Sequence, residues 1–556
     1  MQHQLLVIGG VAAGASCAAR ARRLNENAHI VVIERGPDVS FANCGLPYFV
    51  GGEITTREVL AVQNPASLKA LLNLDVRTRC EALRIDRQRK QVEVRYLDEM
   101  DKDRTEWLPY DTLMLAPGAA PVRPALPGID DPRIMTLRNL QDMDRIASAS
   151  QAAQRVVIVG AGFIGLEMAE QLRELGLAVH VVELQSQVLP PLDAPMAALL
   201  ESEVRQHGVS LTLGDAVARF EPSAGAVRCH LQSGTVLEAE LVLLSIGVQP
   251  DTALAREAGL ELGPRGHVVV DAFQRTSDPA IYAAGDAVQT HDRVLGGATV
   301  VPMGGPANRQ GRVAADHMFM PEKARPYPGS LGTGIVRAFD VVAGITGWSE
   351  KRLIAAQHPF DSITVNDHQH ATYYPGAQPL TLKILWQPDT GRLLGAQATG
   401  AQGIDKRLDV LATAILGGMT VEDLCHLELA YAPPFGSAKD VINVAGFAAC
   451  NRRDGLVRSA ITLPTDALVQ VVDVRGKPLA LAFPAPCPVI HIPFPTLRAN
   501  LHLLDPSRPV VTVCTFGKMS YFAARVLLQN GFDAYSFSGG LKGNVDPRSP
   551  AKLPPV

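Results

Sequence analysis

Residues 155–176 read RVVIVGAGFIGLEMAEQLRELG. An apolar run ends at Gly160, Gly162 and Gly165 complete a GxGxxG turn, and a helix-forming stretch follows. The pattern predicts strand, tight turn and helix. Glycines in that setting permit the turn and let backbone amides approach a pyrophosphate at the helix N-terminus. The next apolar run, AVHVVELQ, predicts a second strand closing at Glu183. A carboxylate there accepts a ribose 2′-hydroxyl and repels a 2′-phosphate. No arginine follows it closely, so the spacing predicts NADH in preference to NADPH. A glycine turn that serves only helix–strand packing is the competing reading, and it leaves Glu183 without a role.

An earlier copy of the same unit begins at residue 4. QLLVIG leads into GGVAAG, with Gly9, Gly10 and Gly14 in the turn and Val11 where the middle glycine usually stands. HIVVIERG then supplies a strand ending at Glu34. Two such units predict two dinucleotides, one held and one visiting. Between and after them, LMLAPGAAP, LVLLSIGVQPD and IYAAGDAV are apolar strands that break at Gly or Pro, as strand ends facing a cofactor do. Asp286 in AAGD offers a carboxylate to a ribityl hydroxyl or to a phosphate-bound water, although an Asp after Gly is also an ordinary turn residue.

The remainder of the chain bounds the answer. With 556 residues it is too long for one core. A formal net charge of −4 gives no basic field for nucleic acid and no polybasic membrane patch. No segment approaches the roughly 18 apolar residues of a membrane span. The N-terminus MQHQLLVIGG shows neither a basic region nor a cleavage site, so the expected location is the cytoplasm. The eight cysteines are dispersed without a CxxC pair, which argues against a disulfide scaffold and against a zinc knuckle. His368 and His370 in DHQH have no neighbouring cysteine or acidic cluster in the sequence, so no metal is expected.

One cysteine stands apart. Cys44 sits in SFANCGLPYFVGG, ten residues after Glu34. Alone it cannot store two electrons as an internal CxxC disulfide. With the tandem units and AAGD, this segment resembles the single-cysteine branch of the FAD-dependent pyridine nucleotide–disulfide oxidoreductases over roughly residues 1–450. That branch comprises coenzyme A-disulfide reductases, NADH oxidases or peroxidases, and NADH-dependent persulfide reductases. The resemblance implies that Cys44 faces the flavin and cycles through a mixed disulfide with a small thiol, or through a sulfenic acid. HATYYPG and LAYAPPFGSAKD resemble segments that bring Tyr373, Tyr431 and Lys439 to the active site of the partner subunit in a homodimer. Arg23, Ser40 and Asn43 match positions that bind coenzyme A.

From about residue 457 a further α/β pattern appears. Cys514 closes the apolar run PVVTV and precedes the helix-forming SYFAARVLLQNGF, and backbone amides at a helix N-terminus favour a thiolate. With VVDVRG upstream and SGGLKG downstream, the segment resembles a rhodanese domain, which carries a persulfide on its loop cysteine. Met519 stands where such loops often hold arginine, and Lys518 is the one cation inside the loop, so thiosulfate should be bound poorly. A non-catalytic rhodanese-like module remains the alternative.

The expected fold is therefore α/β. Two Rossmann-like domains bind FAD (1–117 and 246–324) and NAD(P) (118–245), followed by an α+β dimerisation domain (325–450) and a C-terminal α/β rhodanese-like domain (457–556). The expected activity is NADH-dependent reduction of persulfides or polysulfides, for example of coenzyme A. Coenzyme A-disulfide reduction, oxygen or peroxide reduction through a Cys44 sulfenic acid, and flavin-based redox sensing without turnover are the rivals.

Overall fold

Short valine- and isoleucine-rich runs suit strands buried on both faces of a parallel sheet. In the computed structural model, which describes residues 2–542 except 100, 465 and 467, they form such sheets. The chain divides into two compact units, residues 1–182 with 215–332, and residues 183–214 with 333–556.

The first unit holds both glycine turns. Its first sheet runs in the order Ile281–Ala283, Thr112–Leu115, Gln4–Ile8, His29–Ile33, Asp75–Arg77, with every pairing parallel. Helix Ala12–Leu24 lies against helix Gly304–Phe319. The approach is close enough that a Cβ at Gly311 would lie 2.1 Å from Ala13 O. Small side chains on the first helix make this possible, and Cys17 is one of them. Burial pushes its thiol up to about 12, the behaviour of a small hydrophobe. A second parallel sheet contains Ala178–Glu183, Arg155–Val159, Leu241–Leu244 and Ile134–Met135 in that order.

The second unit is built on an antiparallel sheet in the order Gly334–Ala338, Val341–Gly347, Leu393–Gly400, Pro379–Trp386, Asp361–His368. Residues 183–214, inside the segment expected to bind NAD(P), pack against this sheet. Lys383 Nζ lies 2.9 Å from Asp193 Oδ2 and 3.0 Å from Glu350 Oε1, and Gln397 Nε2 donates to Asp193 Oδ2 at 2.6 Å. All but Glu350 are buried. Removing Lys383 would leave the buried Asp193 carboxylate without its counter-charge, at a cost of about 3–5 kcal/mol. This network is structural.

The C-terminal part carries a parallel sheet in the order Arg458–Ala460, Ala534–Phe537, Val510–Val513, Gln470–Asp473, Ile490–His491. Helix Lys518–Gln529 follows the central strand after a short loop. Of the segment read as a rhodanese-like domain, residues 543–556 lie outside the described residues, and Gly543 of SGGLKG with them. Among the described residues, no helix is long and apolar enough to cross a membrane.

Candidate active site

The glycines of the two turns answer to different demands. Gly9 (φ +95°) and Gly160 (φ +104°) adopt left-handed backbone, and a Cβ would lie 2.1 Å from Ala116 O at the first and 2.4 Å from Ser245 O at the second. A Cβ at Gly14 would stand 1.8 Å from Gly9 O, and one at Gly165 2.0 Å from Gly160 O, so these two let the helix begin directly under the turn. Gly162 differs, because a Cβ there would meet nothing within 4 Å. Space beside a bare backbone at a helix N-terminus is what a pyrophosphate requires. Glu34 follows its strand by one residue and accepts from Gly10 N at 2.9 Å through Oε2, and from Gly36 N at 2.9 Å through Oε1. Glu183 ends strand Ala178–Glu183, is buried, and accepts from Gln185 N at 2.8 Å. These residues fit two dinucleotides, each with a carboxylate at the end of the second strand.

The turn bearing Cys44 is tied to the first glycine turn. Ser40 takes up left-handed backbone (φ +48°), and its N donates to Gly10 O at 2.8 Å. Asn43–Gly45 is a single turn of 3-10 helix, and helix Leu46–Val50 follows at once. Cys44 is exposed, and its sulfur has no hydrogen-bond partner among the described residues. Desolvation, then the negative charges of Glu167 and Asp286, push its thiol above the ordinary value. Tyr48 of the same segment donates to Glu167 Oε1 at 3.1 Å. Asp286 is held above the usual carboxylate range by burial, opposed chiefly by Arg138, whose Nη1 lies 3.9 Å from Asp286 Oδ2. Glu167 and Arg138 were not singled out from the sequence. A helical glutamate and a loop arginine are usually solvated, and only the fold points Glu167 at this thiol and Arg138 at Asp286.

The residues expected to bind coenzyme A fall in two places. Ser40 and Asn43 share the Cys44 segment and are half-buried. Arg23 is exposed on the last turn of helix Ala12–Leu24. Its neighbour Arg22 is buried and donates to the carbonyls of Leu72 at 2.8 Å and Asn73 at 3.0 Å. Of two adjacent arginines, one holds the fold together and the other is open to a ligand.

In the second unit, Tyr373 and Tyr431 share a hydroxyl–hydroxyl hydrogen bond of 3.0 Å. Their loops are joined by Ala371 N donating to Gly436 O at 3.0 Å. The aromatic rings are unusually open: Tyr373 is 74% exposed, Tyr431 48% and Phe435 70%. The bond to Tyr431 holds the Tyr373 phenol above its ordinary value. Lys439 is exposed beside Asp440, which is buried against Arg407 Nη2 at 2.6 Å and caps helix Val441–Arg453. His370 is buried with Nδ1 at 3.0 Å from Ala371 O.

Cys514 lies in a different environment. It is buried, and its sulfur accepts from Gly517 N at 3.1 Å and Ser520 N at 3.3 Å, with Ser520 Oγ at 3.6 Å. Left-handed Gly517 (φ +90°) turns the amides inward. Lys542 Nζ stands 5.2 Å from the centre of the Phe516 ring, a second cation at the loop besides Lys518. Asn366 of the antiparallel sheet donates to Phe516 O at 3.0 Å and Gly539 O at 2.8 Å, fastening the loop region from outside.

The first unit thus presents two glycine turns and, in the segment bonded to the first of them, a single exposed thiol. That is the plan of a two-dinucleotide oxidoreductase. The chain belongs to the pyridine nucleotide-disulphide oxidoreductases: that family matches residues 3–310, and its dimerisation domain matches residues 335–441. Coenzyme A disulfide reductase of Staphylococcus epidermidis is 32% identical over 452 residues, which cover 80% of this chain and 100% of that protein. The crystal structure of reduced Bacillus anthracis CoADR-RHD is 40% identical with a TM-score of 0.94, covering 98% of each chain. A NAD-dependent persulfide reductase from A. fulgidus is 35% identical with a TM-score of 0.92, covering 98% of this chain and 100% of that one.

Proposed function

We propose that the protein is a homodimeric, FAD-dependent NADH oxidoreductase that reduces the sulfur–sulfur bond of a persulfide or polysulfide of coenzyme A or another small thiol. The observation that carries this reading is the lone Cys44 sulfur, exposed next to the first glycine turn with no second cysteine to close on. FAD, held by the first turn with Glu34 and Asp286, supplies a two-electron relay from NADH, held by the second turn with Glu183. Cys44, as thiolate, attacks the carbon-bearing sulfur of RS–SH. The sulfur–sulfur bond breaks, hydrosulfide leaves, and Cys44 retains RS as a mixed disulfide. Two electrons and one proton then release RSH and restore the thiolate, so RSSH and NADH give RSH, HS⁻ and NAD⁺.

Arg23, Ser40, Asn43 and Lys439 bind the carrier thiol. Tyr373 and Tyr431 of one subunit serve Cys44 of the other, donating a proton to the departing sulfur. The C-terminal module is rhodanese-like, with Cys514 as the sulfur carrier, and a cytoplasmic location accords with the reduced thiols.

Coenzyme A-disulfide reduction is the second reading, favoured by the Staphylococcus epidermidis relative. Anaerobic NADH consumption decides between them. Turnover with coenzyme A persulfide well above that with coenzyme A disulfide is expected, and the reverse order would overturn the proposal. Activity that needs oxygen would point to an oxidase. Glu183 also predicts kcat/KM for NADH about 10–100-fold above that for NADPH, the worth of one hydrogen bond to a charged group. Equal use of both would remove its assigned role.

A further inference from the structure

Two of the remaining cysteines face each other. Cys425 ends the short helix Val421–Cys425, Cys450 lies in helix Val441–Arg453, and their sulfurs are 3.5 Å apart. The backbone brings them together. A Cβ at Gly446, one turn before Cys450, would lie 2.9 Å from Cys425 N and 3.0 Å from Leu424 Cβ, so the helices cross there almost main chain to main chain. Asn443 Nδ2 donates to Leu424 O and Leu427 O, each at 3.0 Å, and Arg453 pairs with Glu422. The two sulfurs are thus fixed as neighbours by contacts on both sides.

A disulfide needs its sulfurs at about 2.0 Å, so closure asks for roughly 1.5 Å of approach, within reach of side-chain rotation. Both residues are half-buried, unlike the fully buried Cys17 and Cys229. Burial, then its neighbour Cys425, push the Cys450 thiol up to about 12; Cys425 is taken as the attacking thiol and Cys450 as the resolving one.

We propose that Cys425 and Cys450 form a second site reactive toward sulfane sulfur, a dithiol that a persulfide or polysulfide closes to a disulfide. The inference rests on the substrate class proposed above. The Cys425 thiolate attacks the terminal sulfur of RS–SH, the sulfur–sulfur bond breaks, and RS⁻ leaves and takes up the proton given up by Cys425. Cys450 then attacks the Cys425 sulfur of the new persulfide, and sulfide departs with the Cys450 proton as hydrogen sulfide. The two thiols are oxidised by two electrons, and the sulfane sulfur is reduced by two. Two protein thiols and one RSSH give one disulfide, RSH and hydrogen sulfide.

The test uses the reduced full-length holoenzyme without NADH, exposed to inorganic polysulfide, quenched with an alkylating agent and read by peptide mass. Loss of the alkylation adducts on both residues is expected, with a Cys425–Cys450 peptide pair lighter by two hydrogen atoms, reversed by a dithiol reductant. In Cys450→Ala, Cys425 should instead retain one extra sulfur. Full alkylation of both residues in the wild type would overturn the site, as would Cys425 free of added sulfur in the variant. Because the readout involves no NADH, its failure leaves the reductase proposal standing. Loss of NADH turnover alone would leave this site standing.

Discussion

Cys44 and Cys514, two cysteines proposed to handle sulfur, sit in opposite surroundings. Cys514 is buried, with two main-chain amides of its loop pointing at the sulfur. Cys44 has no such donors, stands exposed, and faces two carboxylates that oppose a thiolate. A sulfur held by two main-chain amides of its own loop suits a carrier. A sulfur whose surroundings raise its pKa suits a reaction centre that stays quiet until a partner binds beside it.

The largest expected effect separates them directly. Cys44→Ser should bind FAD and lose NADH-linked sulfur reduction by at least about 10³-fold, the scale on which loss of a covalent nucleophile registers. Cys514→Ser should leave reduction of coenzyme A persulfide nearly intact. Anaerobic NADH oxidation measures both, and equal losses would erase the distinction. Next, Tyr373→Phe with Tyr431→Phe removes only hydroxyls and should slow kcat by about 10²-fold with the fold unchanged. An unaltered kcat would return both rings to interface packing. Cys514→Ser should also slow turnover with polymeric sulfur donors by about tenfold if the carrier feeds the reductase. No loss on any donor would make the C-terminal module a passive attachment.

The smallest effect concerns charge. Glu167→Gln removes one negative charge facing Cys44, so the thiol should move down toward its ordinary value. Alkylation of Cys44 near neutral pH should then rise by about threefold to tenfold, equivalent to roughly half to one pKa unit. In the wild type the rate should keep rising with pH beyond the range of a free thiol, because a raised pKa delays thiolate formation. A rate already flat at neutral pH would contradict the repulsion.

Most of the nucleotide architecture was legible because its signals are local. Gly160, Gly162, Gly165 and Glu183 lie within one strand–turn–helix–strand unit, and Cys44 announced itself by standing alone in a turn-rich segment. Gly311 gave no such sign. It lies in a polar stretch, and its steric reason is the carbonyl of Ala13, nearly the whole first unit away in sequence. The same holds for Lys542 over Phe516, and for residues 183–214, which Asp193 anchors to Lys383 and Gln397 in the second unit. Contacts made across long separations leave little local periodicity, so the sequence marks the residues without pairing them.

The helix crossing at Gly311 has a consequence for how the protein is made. The first nucleotide sheet needs strand Ile281–Ala283 at its edge, and the helix after the first turn needs helix Gly304–Phe319 as its cover. At about 5–20 residues per second of synthesis, the ribosome delivers those partners on the order of tens of seconds after the first turn emerges. During that interval the small-residue face of helix Ala12–Leu24 waits uncovered. Newborn chains should therefore be open to chaperone capture until residue 319 has cleared the exit tunnel, and a truncation just short of Gly304 should aggregate.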